Sequence, residues 1–507
     1  MIDGTPLTDE TATVVGGGVA GLSAACHLAD AGADVTVVEK NDSLGGVTNR
    51  LDVEAFTFDT GPSWYLMPET FERFFGQFGR DPADYYGLER LDPQYRVFFK
   101  DGDRIDVTPD LDRLRRVFES YEDGAGEALD EYLATARRTY EIGMEEFVYT
   151  DRSRFRDLLD PDIVRAAPAL THLGSMQAYV ERYFDEPKLQ QLLQYTLVFL
   201  GSSPHDAPSL YNLMAHVDFE GGVYYPEGGM YSLVEALVSL GTELGVDYRT
   251  GTDVTGLAPA DSGVRVAAGG TSHVADRVVA NANPAHVERD LLSPADRGRD
   301  PAYWESRTYG PSAFMLYLGV EGSVDPLAHH SLVLPTDWDG HFERIFDDPA
   351  WPEDPAYYLS VASRTDDGAA PDGHHAVVVL VPIAPDLDDD PDRVAAFRDA
   401  VLADLAAETG ADLRNRIVVE RTACVSAFAD RYRTPGGTAL GLAHTLDQTG
   451  PLRPSHHAPG VDGLYYAGAF TSPGVGLPMA VVSGEHAAEA AARDACQSLS
   501  AALLPNL

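Results

Sequence analysis

The stretch Thr13-Val14-Val15-Gly16-Gly17-Gly18-Val19-Ala20-Gly21-Leu22, with Glu39-Lys40 closing the apolar run that follows it, sets the reading of this chain. Thr13 to Val15 is a short β-prone run that ends in glycines. From Val19 to about Asp30 the pattern is helical, with Leu22, Ala25, Cys26 and Leu28 suited to packing on a sheet. Gly32 stops that helix, and Val35 to Val38 reads as the next strand, ending at Glu39. The unit is βαβ. Gly16, Gly18 and Gly21 satisfy G-x-G-x-x-G: the first permits a tight turn, the second lets backbone approach a pyrophosphate, and the third allows close helix–strand contact. The helix N-terminus then offers free N–H groups and a partial positive charge to a diphosphate. Glu39 lies 18 residues beyond Gly21, near the spacing of a ribose-hydroxyl acceptor. A carboxylate there favours an unphosphorylated ribose, hence FAD or NAD over NADP.

Farther along, Leu129, Leu133, Ala136, Tyr140, Met144 and Phe147 recur at spacings of three and four, which predicts an amphipathic helix. Lys188 to Leu200 is a more apolar helical candidate, ended by Gly201-Ser202-Ser203-Pro204. Residues from about 75 to 215 therefore read as mainly helical. β-prone segments follow between Gly245 and Ala280, at Phe314 to Leu318 and at Ala376 to Val381. The chain closes with a strand at Leu464-Tyr465-Tyr466, a glycine-rich turn and a helix from about Met479. The pattern implies an α/β protein of two interleaved domains. Residues 1–75, 220–290 and 430–507 form the nucleotide-binding one, and 76–219 and 291–429 a mixed α+β one.

Of 507 residues, 80 are Asp or Glu and 37 are Lys or Arg, for a formal net charge of −43. Only Lys40, Lys100 and Lys188 are lysines. Such a surface repels nucleic acid, which needs a basic footprint, and opposes docking on anionic lipid by charge alone. It fits a protein kept soluble by heavy surface charge, as in halophiles, where high salt screens the self-repulsion. The acidic run at Asp386, Asp388, Asp389, Asp390 and Asp392 fits a solvated loop. The three cysteines, Cys26, Cys424 and Cys496, have no CxxC spacing, which argues for a reducing cytoplasm and against a zinc framework. Residues 1–10 lack the basic start and apolar stretch of a signal peptide. The longest apolar run, Ala376 to Ala384, is too short to span a bilayer and contains Pro382. The expectation is a cytoplasmic protein that lies on a membrane without crossing it.

Beyond Glu39-Lys40 come Gly45-Gly46 and Phe56-Thr57-Phe58-Asp59-Thr60-Gly61-Pro62-Ser63. Here the chain resembles the bacterial-type phytoene desaturase family, within the wider flavin amine-oxidase-like superfamily. The likeness continues in Tyr225-Pro226-Glu227-Gly228-Gly229-Met230 and in Ala275 to Ala282, and closes in Leu464 to Thr471 and Pro473-Gly474-Val475-Gly476-Leu477-Pro478. It spans nearly the whole chain. The resemblance implies a Rossmann-type FAD-binding domain with an interleaved α+β substrate domain. It implies FAD held by Gly16, Gly18, Gly21, Glu39, Lys40, Gly45, Gly46, Gly61, Pro62, Ser63, Gly468, Gly474, Gly476, Leu477 and Pro478. It also implies a linear, apolar carotenoid substrate drawn from a membrane. No serine, cysteine or metal catalytic group is expected, because the flavin carries the redox chemistry.

The tunnel for such a substrate has candidates in Trp64, Tyr65, Leu192, Leu193, Tyr195, Phe199, Leu200, Tyr224 and Tyr225, each a residue type that packs as core more often than it lines a ligand. His329-His330 lack a spaced carboxylate and read as structural, and no metal site is expected. The family's Arg after Gly-Gly is Val47 here, with Arg50 nearby. Its Leu-Arg-Gln, implied in proton handling, is Leu189-Gln190-Gln191, which leaves Asp185 and Glu186 as weak heirs to a catalytic role. The closing turn has Val475 where a third glycine is commoner. These departures favour an enzyme of a later carotenoid. With the halophilic charge they lean to 3,4-desaturation toward bacterioruberin-type C50 pigments, otherwise to phytoene-to-lycopene desaturation. Carotene cis–trans isomerases share these motifs, and a flavin amine oxidase is the other alternative. The electron acceptor is left open. The 188–200 helix is the expected membrane-facing element.

Overall fold

The computed structural model describes residues 7–152 and 174–503. Strand β1 (Thr11–Val15) is the centre of a five-stranded sheet, and four of its five residues are buried. Helix α1 (Val19–Asp30) leads from it to β2 (Asp34–Val38). Across the sheet the order is Leu464–Tyr466, Arg277–Ala280, β1, β2 and Asp247–Arg249, with all neighbours parallel. Val14 pairs with Val37 on one side and Val279 on the other. Strands covered on both faces need apolar residues at every position, which explains the unbroken valines. Because the chain leaves β1 toward β2 and later returns on β1's other side, a crevice opens at the carboxyl end of β1, where ligands of such sheets bind.

The helix Leu477–Leu503 packs on α1. A side chain at Gly484 would place its Cβ 2.3 Å from the Ala20 carbonyl oxygen, and Ser23 Oγ donates to the Val481 carbonyl at 2.6 Å. That helix begins at Leu477, two residues before the sequence expectation.

The second sheet has seven strands in the order Ile417–Ala423, Ser312–Glu321, His374–Ile383, Tyr357–Ser360, His330–Leu334, Tyr95–Phe99 and Arg104–Val107. Its neighbours are antiparallel except for the parallel pair His330–Leu334 and Tyr95–Phe99. The helix Ala125–Gly143 buries Leu129, Leu133 and Ala136, as the periodicity predicts, and runs into a π turn at Met144–Val148.

One expectation is corrected. Residues 188–200 form a helix, Pro187–Gln194, and a 3₁₀ turn, Tyr195–Leu200, packed inside the molecule. Leu189, Leu192, Leu193, Tyr195, Leu197 and Leu200 are buried, so these side chains form no exposed apolar face for a membrane. The acidic run has a local job as well: Asp390 caps the helix Pro391–Thr409 by accepting from the Asp392 and Arg393 N–H groups.

Candidate cofactor and substrate site

The glycine turn lies at the crevice. Gly18 is the N-cap of α1 and supplies no side-chain cap, so the first-turn N–H groups face outward to whatever the crevice holds. The space is kept open by missing side chains. A Cβ on Gly18 would fall 2.6 Å from Asn281 Oδ1, and one on Gly21 2.2 Å from the Gly16 carbonyl oxygen. Gly45 bridges Gly18, its N–H donating to the Gly17 carbonyl at 2.7 Å, and a Cβ on Gly46 would touch the Gly18 Cα. Glu39, buried at the end of β2, accepts from the Gly17 N–H at 2.8 Å through Oε2, and from the Asn41 N–H and Nδ2 at 2.8 Å through Oε1. Asn281, at the end of its parallel strand, accounts for much of the closure. Its N–H donates to the Val15 carbonyl at 2.9 Å, and its Nδ2 to the Ala467 carbonyl at 3.1 Å. Gly468 follows directly, with its N–H on Ser483 Oγ at 2.8 Å and its α-carbon beside Asn281. In the sequence Asn281 stands inside a family motif with no role of its own; its place after a strand beside a glycine turn was the available signal.

The other end of the site is built by the motifs at 56–63 and 468–478. Gly61 must be glycine, since a Cβ would sit 2.0 Å from the Val47 carbonyl oxygen. Asp59 is buried and accepts from Tyr225 Oη at 2.8 Å and the Met230 N–H at 3.0 Å, which ties two of the sequence motifs together. Burial raises its carboxyl to about 6, although both hydrogen bonds pull the other way. A Cβ on Gly474 would meet His444 at 2.3 Å. His444 Nε2 accepts from the Val475 N–H at 3.2 Å, so the ring proton is on Nδ1 and is donated to the Tyr211 oxygen at 2.5 Å. Burial holds His444 far below the ordinary histidine range, and it is neutral. Arg453, 3 % exposed, donates only to backbone carbonyls: Thr471, Ala443, Gln448, Leu442 and Ala469. Burial lowers it to about 10, still a cation at neutral pH, so it clamps this loop and adds a positive charge there.

Past Ser63, an aromatic layer faces the seven-stranded sheet. Trp64 stacks on His330 at 4.8 Å between ring centres and lies 5.0 Å from Tyr95. His330 Nδ1 shares a hydrogen bond with Tyr358 Oη at 2.7 Å, and His329 packs edge-on to Tyr225 at 4.4 Å. Both histidines are buried and neutral, held low by burial, as members of this layer. Under the layer, Asp218 accepts from Tyr95 Oη at 2.6 Å and Tyr195 Oη at 3.0 Å, while its Oδ1 has no partner among the described residues. Asp218 sits in a π turn, His216–Gly221, and burial raises it to about 7 despite both tyrosines.

Tyr65, Tyr225, Leu192, Leu193 and Leu200 are buried, and Tyr224 is half-buried. The Phe199 side chain lies outside the described residues. Ser63 is buried, with Pro62 beside it, and Gly476 and Leu477 open the C-terminal helix at Pro478. Lys40 donates through Nζ to the Asp430 carbonyl at 3.1 Å. Asp185 is exposed, its N–H held by Glu122, and Glu186 caps Pro187–Gln194 through the Lys188 N–H. Both stand at the N-terminal end of that helix.

A parallel sheet with a glycine-lined crevice, an acidic strand end and a second sheet over it is the frame of a dinucleotide-dependent oxidoreductase. The chain belongs to the flavin containing amine oxidoreductase family, whose model matches residues 19–492, and within it to the carotenoid desaturases. It is an FAD-dependent oxidoreductase, and the uncapped helix and side-chain-free cradle fit that cofactor. The chain is 58 % identical to the carotenoid 3,4-desaturase of Haloarcula japonica over 96 % of its length and 99 % of that protein. It is 36 % identical to the zeta-carotene-forming phytoene desaturase of Myxococcus xanthus, covering 93 % and 91 %. Among solved structures, an oxidoreductase from Methanosarcina mazei matches in fold with a TM-score of 0.62 at 17 % identity, over 94 % and 99 % of the two chains.

Proposed function

We propose that this enzyme carries out carotenoid 3,4-desaturation, making a C=C bond near the end of a linear carotenoid on the way to bacterioruberin-type C50 pigments. The near-full-length, 58 % identity to a carotenoid 3,4-desaturase is the observation that carries this reading. In it, Gly16, Gly18, Gly21, Gly45 and Gly46 with Glu39 hold the adenosine and diphosphate half of FAD, and Gly61 to Ser63 with Gly468 to Pro478 hold the flavin half. When bound there, FAD supplies the hydride acceptor. Desaturation takes a hydride from one carbon and a proton from its neighbour, so the protein must provide a base. Asp218 suits that role, being buried, poised near neutrality and left with one carboxylate oxygen unengaged. The Trp64–Tyr95–Tyr195 layer, contiguous with Ser63, would keep the polyene end dry and oriented. The two sheets would mark the two domains anticipated from sequence.

The test is incubation of the purified, FAD-loaded protein with a linear carotenoid saturated at carbons 3 and 4. Loss of two hydrogens with a red-shifted spectrum is expected. A shifted spectrum at unchanged mass would make it an isomerase, and peroxide formed from amines would make it an amine oxidase.

No helix among the described residues is long and apolar enough to cross a membrane. We place the membrane contact at the loop carrying Leu446 and Leu452, which are 65 % and 45 % exposed. This loop adjoins the Arg453 clamp, so substrate would enter next to the flavin end. Liposome flotation in high salt should carry the wild type upward and leave Leu446→Asp/Leu452→Asp at the bottom. Equal flotation of both proteins would remove this assignment.

A further inference from the structure

Asp151, His456 and His486 are far apart in the chain, yet one potential ligand atom from each lies within 4.8 Å of the others. They come from the segment just beyond the π turn that follows the long helix, the loop before Leu464–Tyr466, and the C-terminal helix. His456 and His486 are 0 % and 2 % exposed, and Asp151 is half-buried. His456 Nδ1 lies 3.0 Å from the Tyr466 carbonyl oxygen, which can only accept. The ring proton is therefore on Nδ1, and Nε2 presents a lone pair. That Nε2 has no hydrogen-bond partner among the described residues, and the His486 ring has no close one, only a weak pull from the Tyr149 backbone. Burial lowers both rings below the usual histidine range, His486 to about 4, so both are neutral. A buried polar atom left without a partner destabilises the fold, and these lie together. The rings stand 5.5 Å apart and nearly perpendicular.

We propose that Asp151, His456 and His486 bind a divalent metal ion of borderline softness, Zn²⁺ foremost. Two neutral imidazoles and a carboxylate are a ligand set that such an ion takes, and the Tyr466 carbonyl is the kind of supporting acceptor that fixes a ligating histidine's tautomer. Metal–ligand distances of about 2.1 Å require the three atoms to close by about an ångström, which side-chain rotation supplies. Arg493 is 3.3 Å from Asp151 and also faces Glu489 at 3.7 Å, and its exposed guanidinium can move wholly to Glu489 when the ion enters. Glu485, held by Arg73 and Gln77, adds negative potential beside His486. The ion would pin three distant segments together behind the FAD-binding sheet, a structural role separate from the redox chemistry. No ligand spacing announces this site in the sequence, since its three residues meet only through the fold.

The FAD-loaded protein is stripped with a chelator, then dialysed in concentrated KCl against Zn²⁺ alone. One equivalent bound and a raised melting midpoint are expected. His456→Gln and His486→Gln should each weaken binding by more than the about 10–100-fold that loss of a supporting partner costs. His205→Gln, which alters an exposed histidine paired with Asp339, should leave binding intact. Co²⁺ in place of Zn²⁺ should give the visible bands of a four-coordinate ion in the wild type and lose them in the variants. If either histidine variant fails to fold, Asp151→Asn carries the same expectation. Binding of no metal by the stripped wild type, or equal binding by wild type and the variants at these three positions, overturns the proposal and leaves a pocket for water only.

Discussion

Asp218, the proposed base, is a buried carboxyl group held by two tyrosines, and its titration has a definite sign. Burial raises it from 3.8 to about 7 in the folded protein. Between those pH values the folded chain keeps a proton that the unfolded chain has released, so stability falls as pH rises from about 4 to about 7. Each pH unit of that interval is worth about 1.4 kcal/mol. Asp218→Asn should therefore melt higher than wild type at pH 8 and converge with it near pH 4. The same variant should retain FAD but lose desaturation, and wild-type turnover should climb with pH through about 7. A variant that desaturates normally would remove Asp218 from the reaction. Nothing in the sequence could have found this residue. Val217-Asp218-Phe219 looks like any short apolar stretch with one surface acid, and its tyrosine partners, Tyr95 and Tyr195, come from separate elements earlier in the chain. Asp185 and Glu186 stand out by neighbourhood in the chain, and the structure sets them at a helix N-terminus.

The contact of α1 with the C-terminal helix shows how one missing methyl positions a binding site. At Gly484 the helices approach so closely that a Cβ would lie 2.3 Å from backbone oxygen and 2.7 Å from the Ser23 Cβ. Gly484→Ala should cost about 1–3 kcal/mol through overpacking. Because α1 carries the uncapped turn and the C-terminal helix begins at Leu477, the variant should also release FAD more readily, measured by flavin fluorescence on dilution. Unchanged stability and retention would show that the helices have slack. Local elements of this kind were legible: the βαβ unit at 11–38 follows from adjacent residues, and the strand at Leu464-Tyr465-Tyr466 and the helix after it were read within two residues. The seven-stranded sheet was not. Phe314 to Leu318 and Ala376 to Val381 read as strands, but their pairing, Phe314 with Val381 and Leu318 with Val377, rests on contacts about sixty residues apart. The 188–200 segment misled for a related reason, because an apolar helix looks the same whether it faces lipid or a protein interior.

For the molecule as a whole, charge and connectivity dominate. A formal charge of −43 on 507 residues strains the folded state wherever salt is too dilute to screen it. With a Debye length of about 10 Å at 0.1 M and about 3 Å at 1 M, repulsion between surface carboxylates should fade across that interval. The melting midpoint should rise steeply with KCl from about 0.1 to 1 M and then flatten. A midpoint independent of salt would mean that the acids are already compensated by local pairing. The connectivity carries its own consequence. Strand β1 is made almost at once, but its neighbour at Arg277–Ala280 and the outer strand at Leu464–Tyr466 arrive hundreds of residues later. A nascent chain on the ribosome thus holds the glycine turn between β1 and β2 alone, and the sheet around it is complete only when translation is nearly over.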